Sequence, residues 1–258
     1  MLNKSQHFFA FIFYPVLAFI LSFVLELNGF ESIFFFLIIP SIHLSIIQKK
    51  YIQKAALFAL VISTLLYIPI DYVAQLSKAW LIPETVFPFR LFNLVPIDAV
   101  LWTFLLVYFI VMFYEYFINT SRQEKVWTKR MTVFALFSAA IFLIFTLLFF
   151  VAQSYLEVPF FFLIFGVVFL LLPVLLEIIR NKKLSGNFFL IMLYFVGFAV
   201  LYELAALSLG WWSFPGEEFL GWVSISDFKF PLEELIFWFL LFAVGVVAIY
   251  EFCDDDEK

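Results

Sequence analysis

The sequence predicts an all-α integral membrane protein with about eight transmembrane helices, and its composition and apolar runs carry that prediction. Hydrophobic residues make up 66% of the 258 residues and charged residues only 14%, whereas soluble domains average about 45–50% and about 25%. A soluble chain of this length has too little interior to bury so much apolar surface. The apolar runs continue for about 20 residues, which suits membrane-spanning helices rather than the alternating strands of a barrel.

Eight hydrophobic windows, each near the length that a bilayer core requires, predict the spans. They lie at about 7–25, 31–48, 55–75, 96–118, 130–152, 158–179, 187–209 and 231–252. The first window is not predicted to be a signal peptide, because no small-residue cleavage site follows it. The connections are short, apart from two long ones at about 76–95 and 210–230.

Lysine and arginine predict the orientation of these spans, because both residues collect in cytoplasmic connections. All but three of the 15 lysine and arginine residues lie at the termini or after the second, fourth and sixth windows. The three exceptions, Lys78, Arg90 and Lys229, lie in or beside the two long connections. We therefore predict a protein of the cell (inner) membrane with both its N- and C-termini in the cytoplasm.

The chain also repeats itself, which predicts two parallel internal repeats related by an axis along the membrane normal. Residues 70–80 resemble 202–212, and residues 95–106 resemble 230–241. The aligned pairs are Asp71 with Glu203, Trp80 with Trp212, Pro96 with Pro231, Asp98 with Glu233 and, after a one-residue shift, Glu115 with Glu251. A site built between such repeats would draw equivalent residues from both halves.

The repeats predict the organisation of the chain. The first repeat covers 1–118, with an extra helix at 7–25 and a core at about 31–118. The second covers 119–252, with a linking helix at about 130–152 and a core at about 158–252. Residues 253–258 are predicted to form an acidic, solvated tail.

Five acids near the long connections are the candidate catalytic residues. They are Asp71, Asp98, Glu203, Glu233 and Glu234. An acid in a membrane span costs several kcal/mol, so it indicates a functional site by default. Acids after Pro231 are also an ordinary way to begin a helix. The recurrence of the pattern at Pro96, each time facing an acid of the preceding helix, favours a site.

The residue types in these segments indicate acid-initiated chemistry on an apolar molecule. A carboxylic acid in an apolar pocket tends to keep its proton and then acts as a proton donor, and aromatic faces stabilise cations. We expect five aromatic residues to bind the substrate, namely Trp80, Trp102, Trp212, Trp238 and Tyr202. One cysteine and two histidines argue against a disulfide and against a metal site.

Three segments resemble the lycopene cyclase domain of the small-subunit, non-flavin type, in its fused tandem form. They are FPLEELIFWF at 230–239, GWWSF at 210–214 and IYEF at 249–252. The resemblance implies cyclisation of the ends of lycopene to β- or ε-type rings, without cofactor or metal. It implies that Glu233 and Glu234 are the family's paired acids and that Asp98 matches the first of them in the other half. Lycopene or a related carotenoid would be the substrate, within membrane lipid.

The chain departs from that family at two places, which makes it a divergent member. Ala99 stands where the first repeat would carry its second acid. The usual Trp-Asp pair before the long connection reads Ile70-Asp71 in one half and Tyr202-Glu203 in the other. These departures leave open whether both repeats are catalytic.

Several other functions stay open on the sequence alone. They are cyclisation or hydration of another isoprenoid, transport or proton relay through the two-fold site, and a structural subunit without activity. A retinal-binding photoreceptor would need a lysine within a span, and every lysine is predicted at a span end or in a connection. We expect no nucleic-acid partner, and a homo-oligomer is left open.

Overall fold

The computed structural model describes residues 3–119, 125–225 and 228–254. Within these residues, eight helices are long and apolar enough to cross a membrane, so the chain is an all-α membrane protein and the eight predicted windows are confirmed as helices. They are α1 Lys4–Val24, α2 Gly29–Ile47, α3 Lys49–Leu76, α4 Ile97–Phe117, α5 Lys129–Val151, α6 Phe161–Arg180, α7 Leu184–Ser208 and α8 Glu234–Asp254. Arg122, which contributed to the predicted orientation, and tail residues 255–258 lie outside the described residues.

The helices differ in how far they are surrounded by protein. Helix α4 is 67% buried over its most apolar stretch, whereas α5 is 17% buried. Helix α5 consequently presents large apolar side chains at the outer surface, including Phe150 and Val151. In a bilayer this surface meets lipid tails, so its exposure carries no hydrophobic penalty.

The two long connections contain short β-hairpins that the sequence did not predict. Strand β1 (Arg90–Leu91) pairs with β2 (Val95–Pro96), and β3 (Trp222–Ile225) pairs with β4 (Phe228–Pro231). Each hairpin ends at the proline that precedes a helix, where a missing N–H is tolerated. A bridge between Leu81 and Ser213 joins the two connections, so both lie at one end of the bundle, called here the loop end.

Four helices contain a wider, π-helical stretch. These are Phe34–Ile38 in α2, Ile62–Leu66 in α3, Gly166–Leu171 in α6 and Glu234–Leu241 in α8. The first three come just before Pro40, Pro69 and Pro173. Proline lacks an N–H and clashes with the carbonyl four residues earlier, so a wider turn before it is physically reasonable.

The π-helical stretch of α8 explains the one-residue shift between the aligned segments. Asp98 corresponds to Glu233, but Glu115 corresponds to Glu251, so the second segment holds one more residue between them. Helix α4 is α-helical throughout, whereas α8 is π-helical over Glu234–Leu241. Because a π turn contains more residues than an α turn, α8 accommodates the extra residue within a continuous helix.

A buried polar cluster lies at the opposite end, called the termini end. Lys54 forms an ion pair with Asp254 and approaches Glu115 Oε1 at 3.9 Å. Tyr250 donates a hydrogen bond to Glu115, and Tyr114 donates one to Glu251 Oε1 at 2.7 Å. Each tyrosine therefore binds the glutamate of the other helix.

Three residues at this end differ from their predicted places. Cys253 and Asp254 were assigned to a solvated tail, but both are buried in the last turns of α8. Lys54 was assigned to a connection, but it is buried within α3. The ion pair accounts for both differences, because each charge compensates the other inside the protein.

Candidate active site

An apolar cavity of about 190 Å³ runs from the loop end into the bundle as far as Ile249. Its described walls come from α2, α3, α4, α6, α7, α8 and the two long connections. Helices α1 and α5, which are the predicted extra and linking helices, contribute none of the described lining residues. The cavity is thus built from the helices assigned to the two repeat cores.

The predicted site residues divide into those that line this cavity and those behind its wall. The lining residues are Asp98, Glu234, Trp80, Trp102, Trp212, Trp238 and Tyr202. Asp71, Glu203 and Glu233 are buried but are not among the lining residues. The three buried acids can therefore act only through neighbours that do reach the cavity.

Asp71 is fully buried and is surrounded by hydrogen-bond donors. The donors are Trp80 Nε1 at 2.8 Å, Gln75 Nε2 at 2.6 Å and the Tyr67 hydroxyl at 3.2 Å. Arg90 adds a positive charge behind them, with Nη1 at 3.4 Å from Gln75 Oε1. These contacts occupy both oxygens of the carboxyl group. Asp71 holds the indole of Trp80 in place as part of the cavity wall.

Glu203, the aligned partner of Asp71, has a different environment. Trp212 Nε1 donates to Glu203 Oε1 at 3.0 Å, as Trp80 does to Asp71. The next neighbour is another acid, because the carboxyl group of Glu234 lies in hydrogen-bonding contact with that of Glu203. Glu203 Oε2 accepts no hydrogen bond from any donor group of the described residues. Two carboxyl groups in contact form this hydrogen bond only when they share a proton.

An acid in the first turn of α4 and one at the start of α8 each accept a hydrogen bond from a loop N–H, but the two helices present different acids to the cavity. The Val86 N–H donates to Asp98 Oδ2 at 2.7 Å, and the Leu220 N–H donates to Glu233 Oε1 at 2.7 Å. Each acid thereby ties a long connection to its helix. Asp98 still reaches the cavity, whereas Glu233 is 0% exposed and the next residue, Glu234, lines it instead.

An aromatic cluster lines the same cavity. It consists of Trp102, Trp212, Trp238 and Tyr202. The ring centroid of Trp102 lies 5.5 Å from that of Trp238 and 6.0 Å from that of Trp212, and Tyr202 lies 5.3 Å from Trp212. Aromatic faces at these separations pack favourably and offer negative potential to a cation.

The cavity is electrostatically suited to a neutral or cationic ligand. Its described lining includes acids but no lysine, arginine or histidine. Lys54, the buried lysine of α3, belongs to the ion pair at the termini end. A retinal Schiff base would therefore find no lysine among the described cavity residues.

The sequence prediction missed several residues of the site. Tyr67 and Gln75 each lie four residues from Asp71, and i,i+4 neighbours on a helix share a face, so that spacing was a usable signal. Glu84, an exposed acid at the cavity mouth, lies in a connection where no periodicity points to it. The contact between Gly166 and Phe237 joins α6 to α8, and local sequence carries no trace of it.

Gly166 provides a test of this packing that is independent of function. A Cβ atom there would overlap the ring of Phe237, a cavity residue. We expect Gly166→Ala to destabilise the protein by about 1–3 kcal/mol through overpacking. Gly197→Ala is the matched control, because Gly197 is helical with nothing within 4 Å of the added atom, and alanine is the better helix former. Unfolding midpoints in detergent measure both, and equal midpoints would contradict the described contact.

Comparisons with protein-family models, with curated proteins and with solved structures find no match to this chain.

Proposed function

We propose that the chain is a tandem of two parallel repeats in the cell membrane, with both termini in the cytoplasm. Matched contacts support the repeats. They are Trp80 to Asp71 and Trp212 to Glu203, Val86 to Asp98 and Leu220 to Glu233, and the exchanged pairs Tyr114 to Glu251 and Tyr250 to Glu115. The bridge between Leu81 and Ser213 joins aligned residues, as expected near a two-fold axis. The excess of lysine and arginine supports the orientation.

On this framework we propose a membrane-embedded carotenoid cyclase that acts on lycopene by acid-initiated, non-redox cyclisation. The observation that carries the proposal is the pair of neighbouring buried carboxyl groups of Glu203 and Glu234, beside an apolar cavity lined with tryptophan. A proton donor in an apolar site can protonate a carbon–carbon double bond. The aromatic cluster would stabilise the resulting carbocation. The resemblance of residues 230–239 to lycopene cyclase domains points the same way.

The size of the cavity supports binding of one end group at a time. Its volume of about 190 Å³ slightly exceeds the roughly 150 Å³ of an engineered apolar cavity that holds benzene. A six-membered ring with its methyl groups is of that order, whereas a complete polyene is much larger. The remainder of the substrate would extend out of the cavity into protein or lipid.

One observation favours a second candidate, cyclisation or hydration of a different isoprenoid. The Nε1 atom of Trp238, a cavity residue, has no acceptor among the described residues. A buried donor without a partner is costly, and a substrate with an oxygen near α8 would satisfy it. A hydrocarbon would leave it unpaired.

Cyclisation in heavy water tests the proposal. We expect membranes containing the protein to convert lycopene in D₂O buffer to monocyclic or bicyclic isomers that carry one deuterium per ring, because a solvent-derived proton starts each ring and another is lost. Chromatography with mass spectrometry measures both products and label, and membranes without the protein are the control. The assignment is contradicted if the lycopene stays unchanged and unlabelled while the protein is confirmed in the membrane. The same assay with oxygenated isoprenoids would then test the second candidate.

A further inference from the structure

Two carboxyl groups line the cavity from equivalent helix starts, and their surroundings are opposite in kind. Asp98 stands in the first turn of α4, and Glu234 begins the π-helical stretch of α8. Pairs of acids whose surroundings favour different protonation states are the usual basis for separate acid and base roles. The roles of these two acids can therefore be assigned from their contacts.

Asp98 presents an unoccupied carboxyl oxygen at the cavity. Its Oδ2 accepts the Val86 N–H, and its position in the first helical turn places it at the positive end of the helix dipole. Its Oδ1 has no partner among the described residues. The following residue is Ala99, so α4 carries no second acid at the position where α8 carries Glu234. Asp98 therefore offers the cavity a carboxyl oxygen that is free to accept a proton.

The carboxyl group of Glu234 instead lies beside a second acid. Its carboxyl group contacts that of Glu203, and the opposite oxygen of Glu203 is already held by Trp212 Nε1. The proton that joins the two carboxyl groups therefore lies between Glu203 and the residue that faces the cavity. Of the two acids, only Glu234 lines the cavity and can deliver that proton to a ligand.

We infer that Glu234 is the proton donor and Asp98 the proton acceptor of one polarised site, and that Asp98 selects the position of the new ring double bond. This inference rests on the proposed cyclisation. Glu234 gives its proton to the terminal double bond, whose electron pair forms the new C–H bond and leaves a tertiary cation. The next double bond supplies the pair that closes the ring. Asp98 then removes a proton from a carbon beside the ring cation, and that C–H pair becomes the ring double bond.

Taken together, these reaction steps are an isomerisation. One proton enters from Glu234 and one leaves to Asp98, so substrate and product have the same formula and no oxidant is needed. The choice between β- and ε-type rings is the choice of which neighbouring C–H loses its proton. On the α4 wall that choice depends on Asp98, because Ala99 provides neither donor nor acceptor and Glu84 lies exposed at the cavity mouth.

Deuterium in recovered substrate and in product separates the two roles. In D₂O, we expect Glu234→Gln to lose ring formation by about 100-fold or more and to return lycopene without deuterium. Asp98→Asn should reduce ring formation by about tenfold or more but return deuterated lycopene, because the first cation still forms and reverts by giving back a proton. Its residual rings should carry a shifted double bond. The amide oxygen introduced by this substitution can still accept the Val86 N–H, which preserves the connection.

Two further variants complete the experiment. Asp98→Glu should restore ring formation in part, and Glu218→Gln, at an exposed acid of the second long connection, should leave rate and ring type unchanged. The inference fails if Asp98→Asn keeps the wild-type rate and ring type, or if its recovered lycopene is unlabelled. If the Asp98→Asn protein does not reach the membrane, Asp98→Glu provides the test. A ratio of β- to ε-type rings equal to that of the wild type then overturns the inference. A wild-type protein that neither cyclises nor labels lycopene overturns the proposed function and this inference together.

Discussion

Glu234→Gln is expected to reduce ring formation by about 10²–10⁴-fold, the usual contribution of a positioned general acid, whereas Glu233→Gln should reduce it by less than about tenfold. The two residues are adjacent, but only Glu234 lines the cavity and contacts Glu203. Glu233 instead accepts the Leu220 N–H through Oε1, and a glutamine oxygen can accept the same bond. Initial rates in membranes with equal amounts of protein measure the difference.

The neighbouring substitution is a matched control, because it makes the same chemical change one residue away. The resemblance to lycopene cyclases assigns catalytic roles to both acids, so it predicts that both variants are inactive. Equal loss in the two variants would support that assignment and contradict the distinction drawn from the cavity. Wild-type rates in Glu234→Gln would exclude Glu234 as the proton donor.

Lys54→Met is expected to destabilise the protein by about 3–5 kcal/mol, the range for breaking a buried ion pair by removing one partner. Lys54 is 5% exposed, pairs with Asp254 and lies 3.9 Å from Glu115 Oε1. Its removal takes a buried positive charge away from two buried acids, at the end where α3, α4 and α8 meet. Chemical unfolding in detergent measures the loss, and Lys182→Met, at an exposed position, is the control.

A double variant separates the charge from the packing. Lys54→Met combined with Asp254→Asn removes both charges of the ion pair, so it should recover a substantial part of the stability lost in Lys54→Met. Double-mutant cycles isolate such pairwise energies. A Lys54→Met protein as stable as the wild type would show that this cluster contributes little to the fold.

The matched contacts also indicate how two similar halves of the chain present different acids to the cavity. Both halves bind a loop N–H at the helix start and an indole N–H at the preceding acid. They differ at Ala99 and Glu234, the residues that follow the aligned acids Asp98 and Glu233. Alanine in one half and glutamate in the other at this one position change the number of acids in the cavity wall, while the surrounding hydrogen bonds stay equivalent.

Residue order alone was enough to establish the membrane class and the eight helices. Apolar length is a local property, and a run of about 20 apolar residues in a bilayer has no alternative to a helix that satisfies its own backbone. Residue order also marked the aligned acids and tryptophans, because residues 70–80 resemble 202–212 and residues 95–106 resemble 230–241. The i,i+4 spacing of Tyr67 and Gln75 about Asp71 was available by the same reasoning.

Which of these residues meet depends on how the helices pack in three dimensions. The packing puts Asp71, Glu203 and Glu233 behind the cavity wall and Asp98 and Glu234 in it. Each residue turns an α-helix by about 100°, so neighbouring acids face different directions, and the one that reaches the cavity depends on how helices from both halves pack. The ion pair between Lys54 and Asp254 joins residues about 200 positions apart, and such contacts leave no periodic signal, because their energy arises only once distant segments are brought together.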